Sequence, residues 1–193
     1  MKTFFTSDTH FYHTNIIEYC NRPFSDVQDM NDKMINNWNS VVGPNDLVYH
    51  LGDYCFGNEQ KIREINSRLN GHIVLVHGNH DERIVKDSQY RNNYRQYPIS
   101  DRFQAIVPFL EAKVEGTTIT MCHFALKVWN RSHHGKISLY GHSHGTHPGN
   151  SQQLDVGSDC WDYKPVTLEQ ILARLKTLPK YNLPDYHNSK TNI

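Results

Sequence analysis

The segment Tyr140-Gly141-His142-Ser143-His144-Gly145 sets two imidazoles two residues apart between glycines. Imidazole is both a metal ligand and a proton carrier near neutral pH, and glycine removes side-chain bulk where another group must come close to the rings. Four further segments carry groups of the same kind: Ser7-Asp8-Thr9-His10, Leu51-Gly52-Asp53-Tyr54, Gly78-Asn79-His80-Asp81 and the single His123. Together Asp8, His10, Asp53, Asn79, His123, His142 and His144 offer carboxylate, carboxamide and imidazole donors with no thiolate among them. Such a set suits Mn or Fe(II) and is acceptable to Zn, Co or Ni. Seven donors oversupply a single tetrahedral zinc, whereas two divalent ions sharing one carboxylate would use them all.

These residues need elements that bring them together. Thr3 to Thr6 reads as a strand, as do the apolar run at Leu47 to Tyr49 and the continuous run Ile73 to Val76, which has the pattern of a strand buried on both faces. "TTITMCHF", which alternates like a strand and ends at His123, and the start of "ISLYGHSHG" read as strands too, and each of the five leads to one of the clusters. A further short strand is expected within Gln153 to Asp159. Between them, Met30, Met34, Trp38 and Val41 recur with helical period after Asp26, and Ile62, Ile65 and Leu69 do so after Asn58, a capping residue, with a left-handed stop at Asn70-Gly71. Thr167 and Gln170 have the spacing of a capping box for a closing helix that turns Leu168, Ile171, Leu172 and Leu175 inward. Strands alternating with helices predict an α/β domain over residues 1–178, with a loose polar tail over 179–193. In such sheets ligands bind beyond the carboxyl ends of the strands, where every cluster lies.

Composition narrows the function. Lys and Arg number 20 and so do Asp and Glu, so charge balance indicates no footprint for nucleic acid or an anionic membrane. The 13 histidines exceed what packing asks for and make metal binding worth testing. Cys20, Cys55, Cys122 and Cys160 stand alone, with no Cys-x-x-Cys pair, which fits reduced thiols in a cytoplasmic protein. The opening residues lack the apolar run of a signal peptide, and no stretch has the length of a membrane span.

"SDTH", "LGDY", "GNHD", the lone His123 and "GHSH" resemble, in order, the five-block signature of the calcineurin-like metallophosphoesterase superfamily, over roughly residues 6 to 145. The phrase "DVGSDCWDYKPVTLEQI" is also similar to the closing segment of a small bacterial and phage branch. The resemblance implies two mixed β-sheets packed as a sandwich with helices outside. It implies that Asp8, His10, Asp53 and His144 hold one ion, and that Asn79, His123, His142 and the same Asp53 hold the other. It also implies hydrolysis of a phosphate ester by hydroxide attack between two divalent ions, Mn²⁺ first among them. His80 then stays off the metals and donates the leaving group its proton, with Asp81 holding its tautomer. "GDYCFG" departs from the form found in Ser/Thr protein phosphatases, and the short chain leaves little room for a cap domain, so the expected substrate is a phosphodiester or a small, nucleotide-like phosphate ester.

Other readings stand beside these. The fold can serve as a metal-binding scaffold without turnover, or as a nuclease, which needs a phosphate-tracking groove that the charge does not indicate. His80 and Asp81 can be a pair that only orients Asn79. His13 and His50 read as partly buried side chains near the site, and His133, His134 and His147 as flanking groups within reach of substrate. His72 and His77 read as structural, Trp38 as core, and Trp129 and Trp161 as buried or rim residues. The mixed run from Arg83 through Lys86, Arg91, Arg95 and Arg102 reads as a solvated face, its bases interleaved with Asp and Glu.

Overall fold

The computed structural model describes residues 1–89 and 102–182, so Arg91, Arg95 and Asp101 of the mixed-charge run and residues 183–193 of the expected tail lie outside the described residues. β1 (Thr3–Thr6), β2 (Leu47–His50), β3 (His72–Val76) and β4 (Phe103–Val107) run parallel, each beside the next. In a second sheet β5 (Phe109–Val114) pairs antiparallel with β6 (Thr117–Cys122), which continues parallel through β7 (Ile137–Tyr140) to β8 (Gln153–Asp155). β9 (Val166–Thr167) returns to the first sheet, antiparallel to β1. Both sheets are therefore mixed, and they pack face to face with helices.

Side chains alternate across a strand, and β1 uses both faces. Phe4 joins a core with Met30, Met34, Trp38, Ile62, Ile65, Ile73 and Leu75, whereas Phe5 joins a second core with Val76, Ile119, Met121, Leu139 and Leu154. The first core seats α2 (Val27–Val41) and α3 (Glu59–Arg68) on the outer face of the first sheet; the second lies between the sheets and takes the apolar stripe of α5 (Leu168–Leu175). A one-turn α1 (Ile16–Tyr19) and α4 (Glu82–Gln89) complete the helices among the described residues.

Local signals act as their chemistry dictates. The Asp26 carboxylate caps α2 by accepting from the N–H groups of Gln28 and Asp29, both at 2.9 Å, and Asn58 caps α3 through Lys61 N–H at 3.0 Å. Thr167 and Gln170 form the reciprocal capping box of α5. Two expectations are corrected. The α2 stripe ends on Val42, which is buried, while Val41 is exposed; the backbone turns extended at Val42 and redirects its side chain. β4 and β5 occupy a stretch where no strand was expected, because β5 turns Glu111 and Lys113 to solvent and carries only weak alternation on its inner face. No helix of the described residues is long and apolar enough to cross a membrane.

Candidate metal centre

The parallel strands of both sheets deliver their carboxyl ends to one place. Asp8 and His10 follow β1, Asp53 follows β2, Asn79 and His80 follow β3, His123 follows β6, and His142 and His144 follow β7. A bridge between Ser7 and Gly157 joins the exit of β1 to that of β8, tying the two sheets together there. Five of the seven proposed ligands have left-handed backbone: Asp8 (φ 54°), His10 (49°), Asp53 (55°), His142 (66°) and His144 (47°). Such a conformation costs about 1–3 kcal/mol at each non-glycine residue and persists only where surroundings over-determine it. Here the loops hold one another: Asp8 N–H donates to Gly52 C=O (2.9 Å) and His10 N–H to Asp53 C=O (3.0 Å).

Each central carboxylate divides its labour. Asp8 Oδ2 accepts the N–H of His142 at 2.9 Å, and Asp53 Oδ1 accepts the N–H of His80 at 3.0 Å. Their other oxygens face imidazoles. Asp8 Oδ1 lies 3.8 Å from His10 Nε2 and 3.9 Å from His144 Nε2; Asp53 Oδ2 lies 3.7 Å from His10 Nε2 and 3.5 Å from His123 Nε2. Asn79 Oδ1 is 3.1 Å from His123 Nε2, and the His142 ring packs edge-on to that of His123. Donor atoms of Asp8, His10 and His144 fall within 4.8 Å of one another, as do those of Asp53, His123 and His142. One oxygen of Asp53 thus looks toward both groups.

Whether these groups fit metal ions turns on the buried polar atoms. Asp8 Oδ1 and His10 Nε2 are buried without a hydrogen-bond partner, and an unpaired buried polar atom costs about 1–3 kcal/mol. A cation between them would satisfy both, so the residues fit. A third set of donors, on Cys20, His144 and Asp159, is equally compact. It is already satisfied, because Asp159 is taken up by Arg22 and His144, and burial pushes the Cys20 thiol up to about 11.

Electrostatics agree. Burial alone would raise Asp8 and Asp53, but the imidazoles around them outweigh it; Asp8 is held below the ordinary range and Asp53, beside His123, at about 2. Burial opposes a charged His123, yet Asp53 and Asp8 push it up to about 9. His144 is raised against burial by Asp159 and Asp8, whereas in His10 burial prevails and lowers it. The cluster gathers two buried carboxylates among imidazoles, and a bound cation would displace the proton that His123 keeps.

The structure does not bring Asp81 to the ring of His80. Its buried carboxylate accepts three backbone N–H groups, from Gly78 (2.8 Å), Asp53 (2.8 Å) and Tyr54 (2.9 Å), and so clamps the loop after β2 to the loop after β3. Burial pushes its carboxyl up against the pull of those three bonds. The His80 ring is exposed, 4.5 Å from the ring of Phe56 and 6.0 Å from that of His10. His50 is a core histidine, bonded to the Thr9 hydroxyl at 3.0 Å and lowered to about 3 by burial. His13 backs His10, with their Nδ1 atoms 3.3 Å apart, and stacks on Phe56. His133, His134 and His147 are exposed and belong to neither donor group.

Three residues of the site were not anticipated. Asp155 accepts from Ser143 Oγ (2.5 Å), Gly145 N–H (3.0 Å) and Gly157 N–H (2.7 Å), and so shapes the loop bearing His142 and His144. Asp159 bonds His144 and Arg22. The acids were signalled, since "DVGSD" leaves a strand as the other clusters do; Arg22 sits in a connecting loop with no such mark. The glycines act by absence of bulk: a Cβ on Gly141 would collide with Ser7 Oγ and Asp8 Oδ2, and one on Gly78 with Asp53 Oδ1.

Relatives match this sequence along most of its length. The uncharacterized protein MJ1445 of Methanocaldococcus jannaschii is 34% identical over 184 residues, covering 91% of this chain and 92% of that protein. The gene 66 protein of Mycobacterium phage L5 is 27% identical, covering 82% and 87% respectively. In fold, the chain is similar to the crystal structure of the protein of unknown function AQ665 from Aquifex aeolicus, with a TM-score of 0.63 at 24% identity over 88% of this chain and 96% of that one. The family model of the calcineurin-like phosphoesterases matches residues 1–178, and the chain belongs to that family.

Proposed function

We propose that the chain hydrolyses phosphodiesters at a centre of two divalent ions, with His80 as the general acid. One observation carries the reading: Asp53 Oδ2 lies within 3.7 Å of imidazoles from both donor groups, while the neighbouring Asp8 Oδ1 and His10 Nε2 are buried and unpartnered. When bound, two such ions lower the pKa of a water between them and neutralise charge on the phosphoryl oxygens. Asp8, His10, Asp53 and His144 would hold one ion, and Asp53, Asn79, His123 and His142 the other. Asp53 sets the spacing between them.

The remaining work falls to the chain. In-line displacement needs a proton for the departing oxygen. The His80 ring is exposed beside the centre, on a residue whose backbone N–H donates to Asp53 Oδ1, and can deliver it from an imidazolium nitrogen. The exposed Asn79, His80 and His142 leave that face open to a small, nucleotide-like diester. Oxygen and imidazole donors favour Mn²⁺ as the working ion, and four free cysteines fit a cytoplasmic location.

The test is hydrolysis of bis-p-nitrophenyl phosphate and p-nitrophenyl phosphate by metal-stripped protein, with and without added Mn²⁺, beside Asp53→Asn. Turnover that requires the metal, favours the diester and vanishes in the variant is expected. A metal-loaded wild type inert toward both esters, or an active Asp53→Asn, overturns the reading.

A further inference from the structure

The two donor groups differ in what stands behind them. His123 Nδ1 meets a neutral backbone carbonyl, that of Leu51, at 2.7 Å. His144 Nδ1 meets the Asp159 carboxylate, also at 2.7 Å. Asp159 is itself gripped by Arg22, whose Nε donates to Oδ1 and Nη2 to Oδ2, each at 2.8 Å. The same guanidinium donates to the main-chain carbonyls of Asp8 (2.8 Å) and Thr9 (3.0 Å). Arg22 is 4% exposed and its side chain is wholly buried against Asp159. A buried ion pair pays a large desolvation cost and is a poor means of merely stabilising a fold. This one connects two residues of the first donor group, Asp8 and His144, and the backbone of Thr9 between Asp8 and His10.

We propose that Asp159 and Arg22 are positioning residues for the ion held by Asp8, His10 and His144, and not for its neighbour; the inference rests on the two-ion reading above. With Nδ1–H donated to Asp159, Nε2 is the nitrogen left to face a cation, on the side of Asp8 Oδ1, 3.9 Å away. A carboxylate behind a ligating imidazole fixes its tautomer and raises its basicity, and its loss typically weakens metal binding about 10–100-fold. Arg22 keeps that carboxylate in place and pins the left-handed backbone of Asp8 through its carbonyl. The second group has no such carboxylate counterpart among the described residues: the backing of His123 is the Leu51 carbonyl, which also accepts the Ser7 hydroxyl at 2.9 Å and touches neither Asp159 nor Arg22. The two positions are thereby made unequal, and only one depends on the pair.

The experiment is a chelator-competition titration of Mn²⁺ on metal-stripped wild type, Asp159→Asn, His144→Ala and the double variant, with bound metal counted by mass spectrometry. The wild type should bind two ions. Asp159→Asn should weaken one of them about 10–100-fold and leave the other within about threefold; in the His144→Ala background it should change nothing further, because it acts through that ring. Substitution with Co²⁺ supplies a second readout, in which the visible bands of one ion shift and those of the other do not. Equal weakening of both ions, or an undiminished effect without His144, would mean a general structural role and overturn the proposal. A wild type that binds fewer than two ions sinks the two-ion reading and this inference with it; two ions bound with Asp159→Asn indistinguishable from wild type sinks the inference alone. Should Asp159→Asn fail to fold, Asp159→Ser, which removes the charge with less bulk, faces the same criteria.

Discussion

Replacing Asp81 by asparagine distinguishes a clamp on the loops from a partner of His80. The carboxylate accepts three backbone N–H groups at 2.8, 2.8 and 2.9 Å, two on Oδ2 and one, from Tyr54, on Oδ1. Bonds to a charged acceptor contribute about 1.5–3 kcal/mol each and neutral ones about 0.5–1.5 kcal/mol. An asparagine whose carbonyl takes the place of Oδ2 keeps the bonds from Gly78 and Asp53 in weaker form. Its NH₂ then opposes the Tyr54 N–H and leaves that buried donor unpaired, at about 1–3 kcal/mol. Relief of the burial that pushes Asp81 up offsets part of the loss, so a net cost of about 2–4 kcal/mol is expected. With a urea slope of about 2 kcal/mol per M, the middle of the range for small proteins, the unfolding midpoint of the metal-free protein should fall by about 1–2 M. Because the clamp also holds the left-handed Asp53, metal retention should decline in the same variant. An unfolding free energy unchanged within about 0.5 kcal/mol, together with selective loss of turnover for esters with poor leaving groups, would refute the clamp and return Asp81 to the side of His80.

His80→Ala should lower turnover about 10²–10⁴-fold for alkyl esters and much less for p-nitrophenyl esters, whose leaving group departs unprotonated; equal losses on both would remove the general acid from the mechanism. Divalent-ion affinity should rise with pH, by about tenfold per unit between pH 7 and 9 for each proton displaced, and flatten above about 9, because His123 holds its proton up to there in the metal-free protein. The sign follows from linkage: a folded pKa raised above about 6.5 adds stability that is complete below that value and is lost as pH rises through about 9, while the metal needs the ring neutral. Calorimetric titration in two buffers of different ionisation enthalpy counts the protons released, and a pH-independent affinity with none released would contradict the assignment.

Periodicity and caps sufficed for α2, α3 and α5, because Met30, Met34 and Trp38, Ile62 and Ile65, and Leu168 and Ile171 each place one apolar stripe on a helix. The donors were legible for a related reason. A parallel strand buried on both faces leaves only its exit for polar chemistry, so "SDTH", "LGDY", "GNHD" and "GHSH" announce themselves by type and place. Spacing along the chain does not say which exits meet. That Asp53 Oδ2 faces both His10 and His123 is decided by the parallel register of β1 and β2 and by the seating of the second sheet across the first. Nor does the sequence say that the Asp81 carboxylate bonds the backbone of Gly78, Asp53 and Tyr54, since a neighbour in sequence need not turn toward its neighbour's ring. Arg22 and Asp159 lie 137 residues apart and meet only once both sheets deliver their loops to the same end. Sequence by itself determined the kinds of donor and the strand ends that carry them, because residue type and local period are properties of short segments. Tertiary structure alone decided which donor atoms face one another across the centre and which are spent holding the loops, because burial and hydrogen-bond partnership arise only between segments distant in the chain.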